Sequence, residues 1–66
     1  MQLTVNGLPH AFEQAPNLTR LLEILSLTGK RVAVERNGEI VPRSQFSDTL
    51  LADGDQLEIV VAVGGG

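Results

Sequence analysis

The sequence contains no cysteine, tryptophan or tyrosine, and its only aromatic residues are Phe12 and Phe46. Without thiols, neither disulfides nor a thiolate metal site can brace a chain of 66 residues, and any sulfur chemistry must run through something other than a cysteine side chain. With two rings, the core has to be almost wholly aliphatic, and the stacking platforms that read single-stranded nucleic acid are missing. Cationic charge is scarce too. Five basic residues against eight acidic ones give a net charge of -3, whereas a nucleic-acid binder would show a basic stripe to neutralise phosphates. The basic residues Arg20, Lys30, Arg31, Arg36 and Arg43 are dispersed, with only Lys30 and Arg31 adjacent. No apolar run approaches the roughly 20 residues of a membrane span, and no charged start leads into an apolar signal core. A cytoplasmic location is therefore expected.

What is present suffices for one small domain. The apolar share of 42% lies in the globular range, although the length is near the lower limit for a self-sufficient core. "MQLTV" alternates Met1, Leu3 and Val5 with Gln2 and Thr4, the period of a half-buried strand. Asn6-Gly7 follows as a hairpin turn, and Leu8 to Glu13 should return as a second strand. Pro9 suits the sheet edge there, since it has no amide to donate. The period then changes. Leu18, Leu21, Leu22 and Leu25 form one helical stripe, with Asn17 as N-cap and Gly29 as the left-handed residue beyond the end. A helix over about residues 18–28 is expected from this spacing.

"RVAVER" reads as a third strand, Asn37-Gly38 as a second turn and "EIV" as a short return strand. Pro42 breaks that pattern, and a 3₁₀ turn is expected around Ser44–Phe46. After the "DGD" turn at Asp53 to Asp55, "QLEIVVAV" places Leu57, Ile59, Val61 and Val63 on one face and Val60 and Ala62 on the other. A strand apolar on both faces is either central or meets a partner. Strands before and after one long helix imply a two-layer α+β domain. The helix supplies the crossover that lets the last strand pair in parallel with the first. That arrangement is the β-grasp, a mixed sheet packed on one main helix.

Side-chain chemistry offers little. His10 stands alone beside Pro9, without the convergent partners a catalytic or metal-binding histidine needs. Asp53 and Asp55 flank Gly54 but fall well short of the ligand set of a calcium loop, so a plain turn is favoured. Glu35, Glu39 and Glu58 read as solvated, and no phosphate-binding glycine motif occurs. An enzyme is not expected. The remaining candidate is Gly64 to Gly66, which follows the last strand directly. A glycine tail can thread a narrow channel, and its three residues extend about 10 Å, enough to carry the Gly66 carboxylate into a cleft of another protein. The expected division is a domain over residues 1–63 and a flexible tail over 64–66.

The segments "VNG", "LTRLLEILSLTG", "VAVERNGEIVPRSQF", "LLADGDQLEIV" and "VGGG" together resemble the ThiS family, small ubiquitin-like sulfur carriers of thiamin biosynthesis. The likeness covers nearly the whole chain. The molybdopterin synthase small subunit also ends in Gly-Gly but usually has prolines just before it, where this chain has Val60 to Val63. Ubiquitin has a basic residue where this chain has Gly64. The resemblance implies that a ThiF-type adenylyltransferase uses ATP and magnesium to activate the Gly66 carboxylate. It also implies that a persulfide originating on a cysteine desulfurase converts it to a thiocarboxylate, and that thiazole synthase accepts the sulfur. No cofactor would be bound by the chain itself. Gly66 would carry the reacting carbonyl, Gly65 and Gly64 the narrow approach to it, and the free chain would be a monomer.

Around the tail, Val60 and Ala62 are candidate docking residues, although ordinary packing explains them equally well. Arg43 and Glu58 are candidate rim contacts, and Phe46 is expected in the core. Two other readings remain from the residues alone: another β-grasp carrier or modifier, serving molybdopterin synthesis, tRNA thiolation or protein conjugation, and a β-grasp interaction module with an incidental tail.

Overall fold

Both Asn-Gly pairs reverse the chain with left-handed backbone at each position: φ is 50° at Asn6 and 83° at Gly7, then 51° at Asn37 and 87° at Gly38. These angles belong to the tight hairpin turn whose twist matches that of its strands, and bulky or β-branched residues resist them. In the computed structural model, which describes residues 1–62, the first turn joins β1 (Gln2–Val5) to β2 (Leu8–Ala11). The second joins β3 (Val32–Arg36) to β4 (Glu39–Val41). The last strand, β5 (Gln56–Val61), pairs in parallel with β1 and antiparallel with β3, giving the order β2-β1-β5-β3-β4. The central last strand and its parallel pairing are as the sequence predicts, and Pro9 does sit on an edge strand, opposite Thr4. The boundary at residue 63 and the tail over 64–66 lie outside the described residues.

The return strand is shorter than the Leu8–Glu13 expected, ending at Ala11. Phe12 still donates its N–H to the Met1 carbonyl at 2.8 Å. Past that point the chain leaves the ladder for the helix.

The helix α1 runs Leu18–Ile24, ending well before residue 28. Asn17 caps it as expected, its Oδ1 accepting the Arg20 N–H at 2.7 Å. At the other end Ser26, with φ 61°, takes the left-handed step that ends the helix, and Gly29, left-handed as well at 84°, comes three residues later. The Ser26 N–H donates to the Glu23 carbonyl and the Leu27 N–H to that of Leu22, at 3.0 and 2.8 Å. That pair of bonds is a Schellman ending. The reason lies in the spacing. At about 100° per residue, a helix continued to Leu27 would turn that side chain opposite the stripe of Leu18, Leu21, Leu22 and Leu25. Stopping at Leu25 folds Leu27 back against the core, where it is half-buried.

The core lies between α1 and one face of the sheet. Leu3, Val5, Leu18, Leu21, Leu22, Val34, Leu57 and Ile59 fill it, joined by Phe46 and Leu51 from the long connection before β5. Phe46 is therefore core, as expected. That connection contains a 3₁₀ turn at Arg43–Gln45, one residue earlier than predicted, because Pro42 starts it: the Gln45 N–H bonds the Pro42 carbonyl at 2.9 Å. It then straps the start of α1, with Leu18 N–H on the Thr49 carbonyl and Leu51 N–H on that of Pro16, both at 3.0 Å. The result is the two-layer α+β, β-grasp architecture. No helix among the described residues is long and apolar enough to cross a membrane.

Candidate functional site

The end of β5 is where the glycines begin, and the strand is fastened there from both sides. Leu57 and Ile59 point into the core while Gln56, Glu58, Val60 and Ala62 are exposed on the open face of the sheet. β1 accompanies β5 only through the pairs Thr4↔Gln56 and Val5↔Leu57 before turning away at Asn6. The Asn6 side chain then substitutes for the missing strand. Its Nδ2 donates to the Ile59 carbonyl at 3.0 Å, and its Oδ1 accepts the Ile59 N–H at 2.8 Å. On the other side β3 stays paired as far as Val32↔Val61, and the Ala62 N–H reaches the Arg31 carbonyl at 2.8 Å. The chain is thus hydrogen-bonded to the body up to Ala62. Val63, Gly64, Gly65 and Gly66, the last three of which are expected to carry the chemistry, lie outside the described residues.

Val60 and Ala62, the candidate docking residues, do share one exposed patch. Val60 is 63% exposed and stands opposite Ala33 of β3. With Arg31, Val32 and Arg43 they line a shallow depression of about 260 Å³. An aliphatic side chain this open contributes little to folding, so its apolarity there is not explained by packing within the chain. Two residues back along β5, Glu58 faces Glu35 directly across the ladder, and both are exposed. Like charges so placed are mildly unfavourable. The open face therefore grades from cationic at the tail root, through apolar, to anionic.

Other residues singled out from the sequence serve the fold. Asp53 Oδ1 accepts the Gln2 N–H at 2.6 Å. Asp55 accepts the Ala52 N–H at 2.9 Å, the Asn37 amide at 3.0 Å and the Arg36 guanidinium at 2.8 Å. Burial pushes the Asp55 carboxyl up, but those three donors and the Arg36 charge outweigh it and hold the group below its ordinary value. Both aspartates thus close a turn, as read from the sequence. His10 is half-buried and contributes to a hollow lined with Leu8, Leu25, Leu27 and Ile59. Among the described residues no cluster of His, Asp or Glu could hold a metal ion.

One grouping was missed. Lys30, Arg31 and Arg43 look dispersed along the chain, yet they come together beside the tail root. The topology could have revealed it. Because β3 runs antiparallel to β5 and β4 antiparallel to β3, residues 31, 43 and 62 must lie at the same rim of the sheet.

Known proteins bear on this geometry. A family model described as the ThiS family matches residues 3–66. A thiazole synthase of Paramagnetospirillum magneticum is 44% identical over all 66 residues. The chain spans only 20% of that relative's length. The sulfur carrier protein ThiS of Bacillus subtilis is 46% identical over 46 residues, 70% of each chain. The crystal structure of the thiamine biosynthesis protein ThiS from Geobacter metallireducens superposes with a TM-score of 0.84 at 40% identity, covering both chains completely. With the family model spanning nearly its full length and a solved ThiS structure matching the same β-grasp, this chain belongs to the ThiS family.

Proposed function

We propose that the protein is a sulfur carrier of thiamin biosynthesis, a substrate of partner enzymes with no catalytic centre of its own. The observation that carries this reading is the seating of β5. A central strand, tied on one side as far as Ile59 and on the other as far as Ala62, is followed after Val63 by Gly64-Gly65-Gly66. Membership of the ThiS family narrows the use of those glycines to sulfur transfer.

The chemistry follows from the carboxylate. It is a poor electrophile because expelling oxide is unfavourable. A ThiF-type adenylyltransferase would let the Gly66 carboxylate attack the α-phosphorus of magnesium-bound ATP, releasing pyrophosphate and leaving an acyl-adenylate. The terminal sulfur of a persulfide, formed by a cysteine desulfurase, would then attack the acyl carbon and expel AMP. Cleavage of the resulting S–S bond by a second thiol leaves the thiocarboxylate. Gly65 and Gly64 present no side chain to the channel walls. Thiazole synthase is the acceptor that the relatives favour, since one carries a segment similar to this whole chain within its own polypeptide. Covalent linkage of that kind raises the effective concentration of carrier at acceptor.

The test is mass spectrometry of the chain after incubation with a ThiF-type enzyme, ATP, magnesium and a persulfide source. The expected product gains the mass of one oxygen replaced by sulfur, located at Gly66 by peptide mapping and by alkylation of the thiocarboxylate. Mapping is essential, because oxidation of Met1 gives almost the same shift. An unchanged terminus in the presence of an enzyme active on its own carrier overturns the reading.

A further inference from the structure

The five basic side chains divide into two groups. Arg20 pairs with Glu23 at 3.2 Å and Arg36 with Asp55 at 2.8 Å. The other three, Lys30, Arg31 and Arg43, form no ion pair among the described residues and stand around one cleft of about 290 Å³. That cleft opens between the end of α1 and the 3₁₀ turn. Its floor is apolar, made by Leu22, Leu27, Val32 and Phe46, and among the described residues no acidic side chain lines it. Concentrating three unpaired cations at one place in a chain of net charge -3 does nothing for folding, since like charges repel. The arrangement is complementary to something external that is both anionic and apolar.

We propose that this cleft is the docking site for an acidic segment of the adenylyltransferase: one large apolar side chain seated on Leu22, Leu27, Val32 and Phe46, with carboxylates on either side meeting Arg31 and Arg43. The inference rests on the carrier reading given above. An acidic peptide fits better than a free phosphate because the floor is hydrocarbon, which a small hydrophilic anion would leave wet, whereas a side chain fills it. Guanidinium groups bind carboxylates in a bidentate fork, and Arg31 and Arg43 present two of them. Position adds to the case. Arg31 and Arg43 also border the depression beside Val60 and Ala62, and the Arg31 carbonyl holds the Ala62 N–H. A partner gripping these arginines is thereby held at the root of the tail it must activate.

The experiment measures adenylation of the full chain by a ThiF-type enzyme as a function of carrier concentration, for the wild type, Arg31→Glu, Arg43→Glu and Arg43→Lys. Each charge reversal should raise KM by about tenfold or more with kcat retained, and Arg43→Lys, which keeps the charge without the fork, should fall between Arg43→Glu and the wild type. Raising the salt concentration should raise the wild-type KM and narrow the difference. Unaltered melting temperatures confirm that the variants fold, since all the substituted side chains are exposed. Unchanged KM in both reversals, or a fall in kcat at constant KM, overturns the proposal while leaving the carrier reading intact. A wild type that is never adenylated overturns both. If inorganic phosphate at constant ionic strength raises the KM of the wild type but not of Arg43→Glu, the cleft is a phosphate site and the acidic-segment proposal fails.

Discussion

The Arg36 Nε lies 2.8 Å from Asp55 Oδ2, joining the end of β3 to the turn that launches β5, and Asp55 is only 7% exposed. The folded carboxyl titrates below its ordinary value, so the unfolded chain takes up a proton first as pH falls. Its contribution is complete above the unfolded value of about 3.9 and disappears as pH drops through the lower folded value. Urea midpoints measured from pH 7 to pH 3 should fall for the wild type. Asp55→Asn, which keeps one acceptor oxygen but turns amide hydrogens toward the donors at the other and loses the charge facing Arg36, should start about 2–3 kcal/mol lower and change less with acid. Parallel curves for the two proteins would place the acid sensitivity in other carboxylates.

Asn6 performs two tasks that can be separated. Glycine tolerates its φ of 50° but has no amide to bridge Ile59. Asn6→Gly should therefore keep the hairpin turn yet lose both side-chain bonds, lowering stability by about 1–3 kcal/mol. Hydrogen exchange at Ile59, whose N–H loses its acceptor on Asn6, should accelerate more than at Leu57, which keeps its place in the β1–β5 ladder.

Ser26 is a side-chain-bearing residue in a conformation that favours glycine, with φ 61°. Ser26→Gly should raise stability by about 0.5–1 kcal/mol, read as a higher melting temperature. The same change at Thr28 should lack that benefit, because no left-handed angle occurs there among the described residues.

Val60 is exposed, so Val60→Asp should leave stability within about 0.5 kcal/mol of the wild type. It should nevertheless raise the KM for adenylation several-fold if the apolar patch meets the enzyme. Equal KM values would assign Val60 to plain surface.

Gly65→Val places a branched side chain in the proposed channel. Its melting temperature should match that of the wild type while thiocarboxylate formation falls by at least about tenfold. Normal turnover would show that the approach to Gly66 is wide.

Local signals carried much of this structure. The alternation in "MQLTV" and "QLEIVVAV", the leucine stripe of α1 and the two Asn-Gly turns each gave the right element, while the tail expected at Gly64–Gly66 lies outside the described residues. The helix end was misread because Gly29 outranks Ser26 in intrinsic preference, whereas the need to bring Leu27 onto the core decided the matter. The clamp by Asn6 was invisible for a different reason. Asn-Gly already had a sufficient local explanation as a turn, and a bond to Ile59 depends on which strand lies alongside. The convergence of Lys30, Arg31 and Arg43 likewise depends on sheet order, which no window of neighbouring residues contains.

The strand order has a consequence for assembly of the molecule. The β1–β2 and β3–β4 hairpins share no ladder with each other, and β5 is bonded to one strand of each. Each hairpin is a local structure that can form early, but β5 must find partners more than 20 residues upstream, the slow kind of contact in folding. Insertion of β5 is therefore the step that completes the sheet, and it is also the step that fixes the base of the glycines. A molecule arrested before that point has the proposed reactive end unanchored, so maturation of the fold would double as a licence for the carrier to be used.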